Sequence, residues 1–194
     1  PRSIELGAVY DMPVYVASSF SYESGTLIHG GEHTMEVRKA VTGIAVDRNV
    51  GKITVRGVID RPGVAAGLLQ PLADAGVSVD VIVQNASSDG TTDFTFTVAQ
   101  ASVDKAAEIL GSDSGVEYAE VVTGSDLAKV SIVGTGMENA PGYAAKMFAT
   151  LSEVGVNIDM ITTSEIRITT IIDRDQVQSA VQALHDAFEL EKNE

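Results

Sequence analysis

The chain has 194 residues, of which 44% are hydrophobic and 21% charged, a composition typical of a folded globular protein rather than a disordered or fibrous one. Its 13 Lys and Arg against 27 Asp and Glu give a formal net charge of −14, which argues against nucleic acid or an anionic membrane as a partner. Without cysteine the chain has no disulfide, thiolate nucleophile or cysteine-ligated metal. We therefore expect a cytoplasmic protein that binds proteins or small molecules.

An internal repeat organises most of the chain. Residues 62–84 align without a gap with residues 141–163, and residues 52–57 align with residues 129–134. The identical pairs in the longer alignment are Pro62/Pro141, Gly63/Gly142, Ala65/Ala144, Ala66/Ala145, Leu72/Leu151, Gly76/Gly155, Val77/Val156, Asp80/Asp159 and Ile82/Ile161. The chain therefore holds two copies of one unit of about 75 residues, a size that is marginally stable alone and tends to pair.

The periodicity of apolar residues predicts the same order of elements in each copy. In the first copy, strands are predicted at residues 53–57, 77–83, 94–98 and 117–122, and helices at residues 62–76 and 103–110. This βαββαβ order predicts a ferredoxin-like α+β fold, with helices on one face of an antiparallel sheet.

The first predicted helix contains two prolines with different expected effects. Pro62 suits the first helical turn because its φ is fixed, and Gly76 is the expected C-cap. Pro71 lies inside the helix, where it removes a backbone hydrogen bond at a cost of about 3 kcal/mol if it is central. We therefore expect a kink or an early end at Pro71.

The second copy lacks a fourth strand of its own. After the strands predicted at residues 158–163 and 167–172 and a helix over residues 177–188, the remaining residues are mostly charged. Residues 42–47 alternate apolar and polar side chains and have no evident partner, so we predict that they complete the second sheet. The first module would then be inserted in the second. The predicted divisions are a preceding segment at 1–39, module one at 50–124, and module two at 40–49 plus 125–190.

Motifs for catalysis or metal binding are weak in this sequence. The run from His29 to His33 matches the H-x-x-E-H pattern of some zinc peptidases, but its glycine spacer opposes the helix that such a site needs. No phosphate-binding P-loop is present, and His185 stands alone on an amphipathic helix. We therefore predict no catalytic residue and no metal site.

The turn between the first strand and helix of module one is a better candidate, for ligand binding. Backbone N–H groups of Gly63, Val64 and Ala65 at a helix N-terminus suit a carboxylate. Asp60, just before them, suits an ammonium, so together they suit a free amino acid. The alternative is that Asp60 only caps the helix and that residues 62–63 only form a turn.

The two modules differ at the corresponding positions. Module two has Asn139 and no acid aligned with Asp60, whereas module one has Ser78 where module two has Asn157. Each copy therefore carries a different part of a plausible site, which favours one pocket shared between surfaces of the two modules.

Several longer stretches have a distinctive sequence, and they are VGKITV (50–55), DRPGVAA (60–66), VQNASS (83–88), DGTTDFTF (89–96), KVSIVGTGM (129–137) and VNIDMITTSEIRI (156–168). They resemble the regulatory part of aspartate kinase, which is built of two ACT domains, and specifically the bacterial type whose small β subunit is this region alone. Residues 2–5, 18–21 and 25–26 resemble the end of the kinase domain and its linker.

The resemblance implies a function and a set of site residues. Aspartate kinase makes β-aspartyl phosphate from ATP and aspartate, and its ACT pairs bind threonine, lysine or both as feedback inhibitors. The implied threonine pocket joins module-one residues to module-two residues of the other chain of a homodimer: Asp60, Gly63, Ala65 and Gln84 with Asn157 and Ile158. The implied second, lysine-type site involves Ser87, Thr95, Ser164 and Glu165. The kinase nucleotide motif is absent, so ATP and Mg²⁺ would bind a separate catalytic chain.

Two other functions stay open at this point. The chain could be an amino-acid-sensing ACT regulator of a different enzyme, although the kinase-like N-terminal stretch argues against this. It could also be a ferredoxin-like enzyme of the acylphosphatase kind, which would need an arginine and an asparagine directed at one phosphate, and no such pair with a loop to hold it is evident.

Overall fold

The computed structural model describes residues 3, 7, 10, 12–20, 25–29, 40–85, 90–113, 115–135, 137 and 141–191. The chain divides into two compact units, residues 1–38 and residues 39–194. In the first unit, strands β1 (Val14–Val16) and β2 (Thr26–Ile28) pair antiparallel. The second unit contains both copies of the repeat.

The described residues of the second unit form a six-stranded sheet with helices. Its elements in chain order are β3 (Gly43–Ile59), α1 (Val64–Asp74), β4 (Val79–Gln84), β5 (Thr91–Val98), α2 (Val103–Asp113), β6 (Glu120–Val133), α3 (Tyr143–Glu153), β7 (Met160–Ser164), β8 (Arg167–Asp173) and α4 (Val177–Ala187). Short 3₁₀ turns, Gln100–Ser102 and Arg174–Gln176, precede α2 and α4. The strand order is β4-β5-β3-β6-β8-β7, so β4 and β7 are the two edges. The predicted α+β class with ferredoxin-like sheets is confirmed.

The long strands β3 and β6 run through both modules. Residues 43–47 of β3 pair with residues 129–133 of β6, whereas residues 51–59 of β3 pair with β5 on one side and, over residues 52–56, with residues 120–124 of β6 on the other. Register shifts between Asp47 and Lys52 mark the transition. The sequence predicts two separate strands in the region of β3, one at residues 42–47 and one in module one. The structure has a single strand, because the residues between them stay extended despite the irregular register.

The pairing gives residues 43–47 a place beside the strands of module two. Across the sheet the sequence is residues 43–47, the second half of β6, β8 and then β7, which is the order of a ferredoxin-like sheet whose last strand comes from before module one. We interpret this as the nested arrangement. The boundaries drawn between the two modules stay a prediction, since β3 and β6 are common to both.

Two apolar cores lie between the sheet and its helices. The first joins module-one strands to α1 and α2, and its largest buried side chains are Ile53, Leu68, Leu72, Phe94, Phe96 and Leu110. The second joins module-two strands to α3 and α4, and its largest buried side chains are Ile132, Met147, Leu151, Ile172 and Leu184. Each module therefore buries the apolar face that its helical periodicity predicted.

Helix α1 differs from the sequence prediction at both of its prolines. Its N-cap is Gly63, with φ of 95°, so Pro62 lies before the helix and not in its first turn, because the left-handed glycine separates the two. Pro71 lies inside α1, yet the helix continues to Asp74 and closes through Gly76, with φ of 72°. The predicted early end is therefore wrong, because α1 spans the positions that α3 spans in module two, and the alternative of a kink at Pro71 stays a prediction.

Candidate functional site

The strand ends of module one bring two of the predicted site residues to one end of the sheet. Strands β3 and β4 both run antiparallel to β5, so they run in the same direction and end on the same side. Asp60 directly follows β3, and its backbone N–H donates to the carbonyl of Gly90 (2.9 Å). Gln84 is the last residue of β4. Both side chains are exposed and available to a ligand.

The N-terminus of α1 lies next to Asp60 and has no side-chain cap. Gly63 is its N-cap, and no side chain accepts a hydrogen bond there, so the alternative in which Asp60 caps the helix is not borne out. A Cβ at Gly63 would meet no atom within 4 Å, which means that the backbone faces open space. Ala65, in the first turn, is half-buried.

A small cavity opens at this helix N-terminus. Its volume is about 250 Å³, and it is lined by Arg61, Pro62, Gly63, Val64, Gly67, Gly115 and Val116. N–H groups of a first helical turn carry partial positive charge, which suits a carboxylate, while the exposed Asp60 carboxylate suits an ammonium. The arrangement therefore has the chemistry needed to receive the backbone of an amino acid.

The remaining two residues of the implied threonine pocket lie in module two. Asn157 and Ile158 connect α3 to the edge strand β7; Asn157 is exposed, and Ile158 packs against the module-two core. Gln84 ends the opposite edge strand, β4. In the strand order, Gln84 therefore lies on the edge opposite the one that Asn157 and Ile158 lead into, while Asp60, Gly63 and Ala65 follow the inner strand β3.

The implied lysine-type residues that the structure describes lie in both modules. Thr95 lies on β5, where its hydroxyl bonds that of Thr54 on β3 (3.1 Å). Ser164 ends β7, and Glu165 follows in the turn to β8, both exposed. Ser87 lies outside the described residues.

A cavity that sequence reasoning missed lies between the edge of module one and the open face of module two. Its volume is about 530 Å³, and Ser164 is the one implied effector residue among its lining. Lys129 contributes its ammonium, which contacts Asp47 (3.5 Å) and Asp80. On its floor, the hydroxyls of Ser131 and Thr169 share a buried hydrogen bond (2.7 Å).

Lys129 and Asp80 belong to a pair of crossed ion pairs between the modules. Lys129 of module two binds Asp80 of module one, and Lys52 of module one binds both carboxylate oxygens of Asp159 of module two (2.5 and 2.7 Å). Lys52 and Lys129 occupy equivalent positions of the repeat, and so do Asp80 and Asp159. The sequence alignment shows these equivalences, but it could not show that each lysine pairs with the aspartate of the other module.

A small apolar cluster accompanies the crossed ion pairs. Val50, Leu127 and Ile171 are buried in it, and Val81 of β4 and Met160 of β7 pack against them. Because these residues come from both modules, the cluster and the two ion pairs add side-chain contacts between the modules to the pairing of β3 with β6.

Side chains that could ligate a metal are scattered in the part of the chain that the structure describes. No group of three or more His, Asp or Glu there could hold a metal ion. Of the run from His29 to His33, only His29 is described. His185 is half-buried on α4, with its Nδ1 3.9 Å from Asp186.

None of the helices described is both long and apolar enough to cross a bilayer.

Comparison with known proteins gives the same family for both modules. A model described as "ACT domain" matches residues 53–114, and a second model with that description matches residues 130–188. An aspartate kinase of Pseudomonas fluorescens is 44% identical over 191 residues, which cover 98% of this chain and 46% of that protein. The chain therefore spans less than half the length of this relative.

Two solved structures match the chain and are covered almost completely by it. One chain of a crystal structure of aspartokinase alpha and beta subunits is 47% identical, with a TM-score of 0.71, and the match covers 78% of this chain and 100% of that one. The ligand-free regulatory subunit of aspartate kinase from Thermus thermophilus is 39% identical, also with a TM-score of 0.71, over 77% of this chain and 99% of that one.

Proposed function

Because the chain belongs to the ACT-domain regulatory family of aspartate kinases, we propose that it is an amino-acid sensor whose ligand inhibits the phosphorylation of aspartate. Threonine is the proposed effector of the pocket at Asp60, and lysine is the candidate effector of a second site. The aspartate, ATP and Mg²⁺ of the reaction would bind a separate catalytic chain with which this one assembles.

One observation carries the proposal, namely the uncapped N-terminus of α1 beside an exposed carboxylate. An added Cβ at Gly63 would meet no atom within 4 Å, and Asp60 has no role in capping that helix. The N–H of Val64 donates to the carbonyl of Arg61 (3.3 Å), so Gly63 and Ala65 are the proposed donors to the carboxylate. A carboxylate receptor and an ammonium receptor at this separation in the chain suit the two charged groups that every free amino acid shares. The side-chain contacts that would select threonine would then come from the second half of the pocket.

The edge strands support a pocket shared between two chains. Strands β4 and β7 each have one side without a partner strand among the described residues, and the equivalent residues Ile82 and Ile161 are 48% and 46% exposed on them. Exposed apolar edges favour pairing with another chain. If β4 pairs antiparallel with the partner's β7, Gln84 at the end of β4 comes next to the start of that β7, where Asn157 and Ile158 precede it.

In this scheme threonine acts by stabilising one arrangement of the dimer. A ligand held by two chains binds the paired arrangement better than the separated one, and it shifts the population by that difference in affinity. In the full assembly, the favoured arrangement would be the one that holds the catalytic domains inactive.

Calorimetry and reconstitution test the proposal together. The parent chain should bind threonine, and Asp60→Ala should lose most of that affinity while keeping its fold, since Asp60 caps nothing. A complex of Asp60→Ala with the catalytic chain should keep kinase activity and lose threonine inhibition. If Asp60→Ala bound threonine as tightly as the parent, the pocket would lie elsewhere.

The second site is proposed for lysine on the residues that the resemblance implies. Ser164 lines the cavity of about 530 Å³, whose lining includes hydroxyls and charges of both signs. Thr95 belongs to module one and Ser164 to module two. The lysine site would therefore combine surfaces of both modules, either of the same chain or of two chains. A separate calorimetric titration with lysine, on the parent and on Ser164→Ala, tests it independently of the threonine pocket.

A further inference from the structure

The ion pair between Lys52 and Asp159 lies next to the module-two part of the proposed pocket. Asp159 follows Ile158 directly, and both of its carboxylate oxygens bind the Lys52 ammonium. The two side chains are only 22% and 34% exposed. Water and salt therefore screen this pair less than an ion pair on the open surface.

The segment that Asp159 ends is otherwise anchored within module two. Val156 is buried in the module-two core, Ile158 packs against that core, and the backbone N–H of Asp159 donates to the carbonyl of Ile171 (2.8 Å). Lys52 comes from the other module, on strand β3, the strand that ends immediately before Asp60. It therefore connects the segment to the element that carries the ammonium receptor.

We infer that Lys52 is a positioning residue for the effector pocket: through Asp159 it fixes Asn157 and Ile158 relative to module one. The inference rests on the proposed function, which assigns these two residues to the pocket of the partner's Asp60. In the dimer, each chain contributes Asp60 to one pocket, and Asn157 and Ile158 to the other pocket. The Lys52–Asp159 ion pair therefore connects the parts that one chain contributes to the two pockets, and it transmits a displacement at one pocket to the other.

Calorimetric titration of the full chain with threonine tests this role. Lys52→Met should weaken threonine binding by about tenfold, within the range that residues away from a ligand contribute to coupling. Lys52→Arg should restore most of the affinity, because a guanidinium can still pair with Asp159. The matched control is Arg56→Met, on the same strand, which breaks an exposed ion pair with Glu120 inside module one (2.9 Å). Its affinity should stay within about twofold of the parent.

A double-mutant cycle separates positioning from general loss of stability. If Lys52 acts through Asn157 and Ile158, Lys52→Met should add little to the loss caused by Asn157→Ala, because the second change removes what the first one positions. A merely structural effect would be equal in both backgrounds, and that result would overturn the inference. If Lys52→Met does not fold, Asp159→Asn, which removes the charge at nearly constant volume, takes its place with the same expected loss.

The outcomes distinguish this inference from the proposed function. If Asp60→Ala loses threonine binding while Lys52→Met stays within about twofold of the parent, the positioning role is wrong and the pocket stands. If neither change affects threonine binding, both the pocket and the positioning role are overturned.

Discussion

At two equivalent positions, Gly63 and Gly142, the chain enters a helix through the left-handed region, with φ of 95° and 106°. At neither glycine would an added Cβ meet an atom within 4 Å. The need for glycine there is therefore conformational and not steric. An L-residue in this region costs about 1–2 kcal/mol.

Because the two glycines are equivalent, the variant at Gly142 is a matched control for the variant at Gly63. Gly63→Ala and Gly142→Ala should each lower the free energy of unfolding by about 1 kcal/mol in urea denaturation. Only Gly63→Ala should also weaken threonine binding, because only α1 has Asp60 beside its N-terminus. Equal weakening by Gly142→Ala would place the effector at the module-two helix instead.

Among the elements, α1 and α3 are the most direct comparison in the molecule. Each spans the same eleven positions of the repeat, but α1 contains Pro71 where α3 has Thr150. Proline has no N–H to donate to the carbonyl of Gly67, whereas Thr150 can continue the helix and its hydroxyl also bonds the carbonyl of Lys146 (2.9 Å). The first core tolerates this lost bond because α1 keeps its buried apolar face.

Reciprocal substitutions test that comparison. Pro71→Ala should raise the free energy of unfolding by about 1 kcal/mol or more, and Thr150→Pro should lower it by about 3 kcal/mol. Thermal or urea unfolding of each variant measures both changes. If Pro71→Ala destabilised the chain, the ring of Pro71 would contribute packing that outweighs the missing hydrogen bond.

Strand β3 is the other element whose role can be tested. Its residues 43–47 pair with the second half of β6, next to β8, while its later residues lie between β5 and the first half of β6. Ala45→Pro should disrupt the first part, since proline cannot donate to the ladder. Hydrogen exchange should then accelerate at residues 129–133 and 167–173 more than at residues 91–98. Equal acceleration in both groups would contradict a separate role for the two parts of β3.

For the whole molecule, the two exposed edge strands predict a homodimer. Light scattering at micromolar concentration should give the mass of two chains, and threonine at a hundredfold excess over its dissociation constant should stabilise the folded dimer by about 2.7 kcal/mol. Ile82→Lys, which places a charge on the β4 edge, should give a monomer because it opposes strand pairing. A stable monomer of the parent, with and without threonine, would contradict the proposed shared pocket.

Much of this fold and half of the candidate site follow from the sequence alone. The repeat, the βαββαβ order and the position of Asp60 before a helix depend on residues close together in the chain, where periodicity and turn chemistry act directly. The resemblance to aspartate kinase regulatory domains rests on the same local motifs, and the comparisons confirm it. The assignment of threonine, the dimer and the cytoplasmic location stay predictions.

Only the tertiary structure decided how distant residues meet. It showed that residues 43–59 form one strand, that Asp60 caps no helix, and that Pro71 does not end α1. It also paired Lys52 with Asp159, 107 positions apart. Periodicity shows which face of an element is apolar, but it carries no information on how the two modules of the sheet are placed relative to each other. The crossed ion pairs and the cavity beside Lys129 depend on that arrangement, because each is built from side chains of both modules.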